Sequence, residues 1–223
     1  MPSTGPDPSQ ITTMQSLLTA HRLTASLPAE GMLTVDLGSG ARITVTTADE
    51  RGPLWVARAG ETSVYDSPTA ERLAAADLTA ADVSADLDTA WAAEAVARYA
   101  AEAERGTNLS HLYDGSLGCV LERAFEAHGI PIVAYPGSTV QCSGRLVVLP
   151  DGNDIALWDA VHTTASIPAA DYERFGAAYR LVDDSPRYSE VPEEEIPLVR
   201  TGSLWGDLAI LIHTVKAWRD AVS

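Results

Sequence analysis

Cysteine is scarce in this 223-residue chain, where Cys119 and Cys142 are the only two. Two thiols are too few for a disulfide framework, and they lack metal-ligand spacing, so the expectation is a reduced pair. Long apolar runs are missing as well. The longest, Leu208-Ala209-Ile210-Leu211-Ile212, is far shorter than the roughly 18–20 residues of a membrane span. The opening residues Met1-Pro2-Ser3-Thr4-Gly5-Pro6-Asp7 carry neither a basic region nor an apolar core. They read as a frayed tail and not as a secretory signal, with a cytoplasmic location expected.

Positive charge is the next scarcity. Fifteen Lys and Arg stand against 31 Asp and Glu, a formal net charge of −16. Such a surface repels phosphate backbones and anionic lipid, so neither nucleic acid nor a membrane is an expected partner. A protein partner with a basic surface is. Lys216 is the only lysine and alanine is abundant, a bias of GC-rich bacterial genomes that concerns codons and not function.

Common chemical signatures are also missing. Gly38-Ser39-Gly40 lacks the third glycine, the following helix and the lysine of phosphate-binding loops. Asp151-Gly152-Asn153-Asp154 lacks the alternating acids and final glutamate of a calcium loop and reads as a tight turn. His21, His111, His128, His162 and His213 are scattered, with no i, i+4 pair. No metal or cofactor is expected.

What is present is an α+β pattern: mostly antiparallel strands in one or two sheets, covered by helices. Asp7-Pro8-Ser9-Gln10 is a helix start, and apolar residues at helical spacing carry that helix to about residue 22. Alternating runs on either side of Gly38-Ser39-Gly40, and again around Ala59-Gly60-Glu61, predict two hairpins and four strands. A short helix is expected over 67–76. A capping signal at Thr79-Ala80-Ala81-Asp82 then opens a long helix whose Val83, Leu87, Trp91, Ala95 and Tyr99 form one stripe. Ser116 caps a helix over 117–128, and Gly129 stands where a left-handed residue is wanted. Strands follow at 132–135, 139–142, 145–149 and 154–158. A short helix near Pro168 carries Tyr172, Phe175 and Tyr179. Residues 181–202, rich in paired acids and prolines, read as a surface loop or tether. A docked helix over 204–221 closes the chain. The expected organisation is a tail over 1–7, an N-terminal half over 8–106 and a second half over 107–223, integrated into one unit.

One pattern recurs. Ala20-His21 and Ala127-His128 each end a helix, and each is followed by a hairpin turn of the form Leu-x-x-Gly-x-x-Ile, at Leu37 and at Leu149. A duplicated helix-plus-sheet unit with a short insertion explains the match. So does the general preference of turns for glycine.

Two candidate sites follow. Cys119 lies in the first turn of its helix, where unpaired N–H groups and the helix dipole stabilise a thiolate, and His162 is placed downstream as its base. That pair defines a thiol-dependent hydrolase or transferase. Glu193, Glu194 and Glu195 define instead a partner-binding acidic segment, as in an adaptor, immunity protein or dedicated chaperone. A structural subunit of a phage or secretion assembly is a third class. The partner-binding class fits the charge best.

Overall fold

The computed structural model describes residues 8–47, 54–105, 115–134, 144–161, 164–181 and 193–222. These fall into two compact units. The first comprises Met1–Gly106 with Val199–Ile210, the second Thr107–Leu198 with Leu211–Ser223.

In the first unit, helix α1 (Pro8–Ala20) precedes five consecutive strands: β1 (Ala25–Ala29), β2 (Met32–Asp36), β3 (Arg42–Thr47), β4 (Trp55–Ala59) and β5 (Thr62–Asp66). They form one antiparallel sheet in chain order. The register places Leu33 opposite Val45, and Val35 opposite Ile43, so a single face gathers them with Ala57 and Tyr65. All six are fully buried. Burial contributes about 1.5–3 kcal/mol for each large apolar side chain and fixes the register, because a one-residue slip would turn this face to solvent. A short helix α2 (Ala70–Ala74) and the long α3 (Ala85–Glu104) follow.

The sequence pattern misses two details here. β1 escapes notice because Ala-Ser-Leu-Pro-Ala is short, contains proline and alternates poorly. The long helix starts at Ser84, whose hydroxyl accepts the Leu87 N–H at 3.1 Å, and not at Thr79. Thr79 does form the expected contact, its N–H reaching Asp82 at 2.7 Å, but the contact closes an isolated turn.

In the second unit, α4 (Leu117–Glu126) precedes β6 (Ile132–Ala134), β7 (Arg145–Val148), β8 (Asp154–Asp159), β9 (Phe175–Arg180) and β10 (Glu193–Glu195), again antiparallel and in chain order. Val147 pairs with Ile155 as Val35 pairs with Ile43. The last helix, α5 (Leu204–Ala221), divides between the units after Ile210. In the second unit its Trp218 stacks on Tyr179, with ring centres 5.0 Å apart.

Two expectations need correction. The helix read near Pro168 is a single 3-10 turn, Ala169–Asp171, and Phe175 to Arg180 is a strand. Its Phe-Gly-Ala-Ala-Tyr-Arg is buried on both faces and so loses the alternation by which a strand is read. Gly176 serves that strand by lying under the Trp158 ring, 2.5 Å from where a Cβ would stand. Nor is 181–202 one loop. Residues 193–195 form β10, while Ile196, Val199 and Thr201 are buried. The strand expected at 139–142 lies outside the described residues.

The recurring pattern has a structural counterpart. Leu23 N–H bonds Leu18 C=O at 2.9 Å, and Ile130 N–H bonds Phe125 C=O at 3.0 Å, the same helix-ending cap. Both hairpin turns close alike, Gly40 to Leu37 at 2.9 Å and Gly152 to Leu149 at 3.1 Å, with glycine φ of 81° and 89°. Each unit has a helix followed by a five-strand antiparallel meander in chain order.

Candidate functional site

Cys119 lies in the first turn of α4 and is half-buried. The donors its activation needs are already engaged. Leu117 N–H bonds Ile167 C=O at 2.9 Å, Gly118 N–H bonds Ala165 C=O at 2.7 Å, and Cys119 N–H bonds the Ser116 hydroxyl at 3.3 Å. Residues 165–167 therefore cap the helix end from outside, leaving little unpaired N–H for a thiolate. His162 and His111 lie outside the described residues.

Glu193, Glu194 and Glu195 form β10, opposite Arg180, Tyr179 and Ala178 of β9. Glu194 and Glu195 are exposed. The Tyr179 hydroxyl accepts from Asn153 Nδ2 at 2.8 Å. Desolvation, with the Asp151 and Glu194 charges behind it, holds the Tyr179 phenol above its ordinary value.

The buried polar residues form internal networks. In the first unit Asp88 receives the Tyr65 hydroxyl at 2.5 Å and the Ser67 hydroxyl at 2.6 Å. Ser67 in turn accepts the Trp55 N–H at 2.7 Å, and the Trp55 indole N–H reaches Thr89 at 2.9 Å. Burial raises the Asp88 carboxyl above its ordinary range, against the pull of both hydroxyls. Burial, with the Asp88 charge behind it, pushes the Tyr65 phenol well up. The network ties β4 and β5 to α3 and keeps Tyr65 a donor. Glu94, also buried, lies 2.8 Å from Arg98 Nε and 3.5 Å from His21 Nε2. Asp207 accepts the Thr201 N–H at 2.5 Å and the Thr201 hydroxyl at 2.9 Å, fastening the start of α5.

In the second unit Arg180 is fully buried beside Asp154, with Nε 2.8 Å from Oδ1. That approach is an ion pair, not an aligned hydrogen bond. Burial raises the Asp154 carboxyl, and Arg180 opposes the rise. Asp159 accepts the N–H groups of Val161, Glu173 and Arg174 at 2.9–3.3 Å, tying together the two ends of the connection between β8 and β9. Among the described residues no group of three or more His, Cys, Asp or Glu is placed to hold a metal ion, and no helix is long and apolar enough to cross a membrane.

No family model, curated protein or solved structure matches this chain.

The second unit also contains an open groove of about 460 Å³, lined by Glu122 and Glu126 of α4 and by Gly129, Ile130, Pro131 and Ile132. Glu122 is held by Arg145 Nε at 2.7 Å. Glu126 is exposed, with no ion-pair partner among the described residues. The sequence carried half of this signal, two acids at i and i+4 on an amphipathic helix. It could not show that the helix ends beside an outer strand.

Proposed function

We propose that this chain is a non-catalytic accessory protein that acts by binding a protein partner with a basic surface, as an adaptor, immunity protein or chaperone does. The observation that carries the reading is the exposure of Glu194 and Glu195 on an outer strand of a chain with net charge −16. Strand pairing holds the Glu193–Glu195 backbone in one conformation, so this acidic surface is preorganised and loses little entropy on binding. Opposite fields speed encounter and set orientation more than they add affinity.

The engagement of buried Asp88, Glu94, Asp154, Asp159 and Asp207 in internal contacts supports the same reading. These carboxylates hold the fold, leaving the exposed acids as the surface for a partner.

The test is capture from the native host, identification of the bound protein and reconstitution from pure components. A defined-stoichiometry complex that weakens at least about tenfold with Glu193, Glu194 and Glu195 all changed to Gln supports the reading. A reconstituted complex indifferent to those changes, or no complex with any captured protein, overturns it.

A further inference from the structure

Edge strands invite pairing with other chains, and folded proteins block them with proline, charge, bulges or covering segments. The two sheets have four edges. β1 carries Pro28 and a register shift between Ser26 and Ala29. The Val64 carbonyl on β5 receives the Ser203 hydroxyl at 2.7 Å. β10 consists of three glutamates.

β6 is also only three residues long, with Pro131 just before it, but it carries no charge and no register shift. It is Ile-Val-Ala, paired among the described residues with β7 alone, and Val133 is 46% exposed. Beside it lies the groove, with buried Ile130 in one wall and the Glu126 carboxylate at its rim. Arg219 donates to the Gly129 carbonyl at 3.3 Å, and Glu126 is the exposed carboxylate of the groove.

We propose that β6 and this groove accept an extended, basic segment of a partner protein as a sixth strand of the second sheet. Main-chain hydrogen bonds to Ile132–Ala134 would hold the segment. Alternate side chains would enter the groove, apolar ones against Ile130 and Ile132, with an arginine or lysine reaching Glu126. The opposite charge of Glu126 selects a basic segment over a second copy of this acidic chain. The inference rests on the partner-binding reading and names a second contact, separate from β10.

The probe is a fluorescein-labelled octapeptide alternating arginine and valine, with the full chain and near-physiological ionic strength. Its comparator has the same sequence with alternate backbone nitrogens methylated, which keeps the charge and blocks strand pairing. The expected result is saturable binding of the first peptide, at least about tenfold tighter than the comparator. Amides of Ile132–Ala134 gain protection from hydrogen exchange. Glu126→Arg and Val133→Lys each weaken binding at least about tenfold, whereas Glu61→Gln, at an exposed acid of the first unit, leaves it unchanged.

Equal binding of the comparator, protection elsewhere, or insensitivity to both groove variants overturns the proposal. So does concentration-dependent dimerisation that protects β6 without peptide, since a second copy would then be the occupant. A natural partner complex that survives Glu126→Arg but is lost with the β10 variant rejects the groove and leaves the partner-binding reading standing. Probe binding at β6 without any captured partner rejects that reading and keeps the groove.

Discussion

Arg22 and Gly129 occupy the same place at the ends of α1 and α4, both left-handed, with φ of 63° and 65°. Glycine adopts this conformation at no steric cost, whereas an L side chain costs roughly 1–2 kcal/mol. No atom lies within 4 Å of where a Gly129 Cβ would stand, so backbone conformation alone sets the cost there. Gly129→Ala is expected to destabilise the protein by about 1 kcal/mol, and Arg22→Gly to stabilise it by up to about 1 kcal/mol. Urea denaturation of both variants checks this. Shifts of the same sign would show that the two caps are not equivalent.

The Asp88 network gives a pH prediction. Asp88→Asn leaves one of two buried hydroxyls without its carboxylate acceptor, at a cost of about 1–3 kcal/mol. Because the folded-state carboxyl is raised, the folded protein binds this proton more tightly than the unfolded chain does. Its contribution is fully present below the unfolded carboxylate value and is lost as pH rises through the raised value. The stability gap between wild type and Asp88→Asn should therefore narrow from acid to neutral pH. A gap that widens with pH would mean that the two hydroxyls outweigh burial.

Much of this architecture was legible in the sequence. Caps at Ser116 and Gly129, the two hairpins of the first sheet and the closing helix all depend on local chemistry, and all form where that chemistry points. The failures have physical causes. β9 is buried on both faces and so shows no alternation, and β1 is irregular and mostly exposed. Asp88 and Glu94 look like solvent-facing acids on an alanine-rich helix, because Tyr65, Ser67 and His21 are distant in sequence. The same holds for the groove: α4 announces itself, but pairing order alone makes β6 an edge.

Arg180 and Asp154 should behave as a coupled pair. Arg180→Met alone strands a buried carboxylate and is expected to cost about 3–5 kcal/mol. Adding Asp154→Leu should recover most of that loss, which a double-mutant cycle by denaturation measures directly. Additive losses would show that each residue acts through other contacts.

Cys119 should be a slow nucleophile. With the first-turn N–H groups of α4 engaged, alkylation near neutral pH is expected to run no faster than in the urea-unfolded chain, and His162→Ala should not change it. Fast labelling that depends on His162 would revive the thiol-enzyme reading.

The most direct test of the partner-binding account is the salt dependence of the reconstituted complex, measured for wild type and for the chain with Glu193, Glu194 and Glu195 changed to Gln. Exposed charges are screened over about 8–10 Å at physiological salt, so an acidic surface meeting a basic one must weaken as salt rises. The account predicts a Kd that climbs steadily with salt for wild type, and a weaker, flatter dependence for the variant. A Kd independent of salt, or the same slope in both proteins, would contradict it.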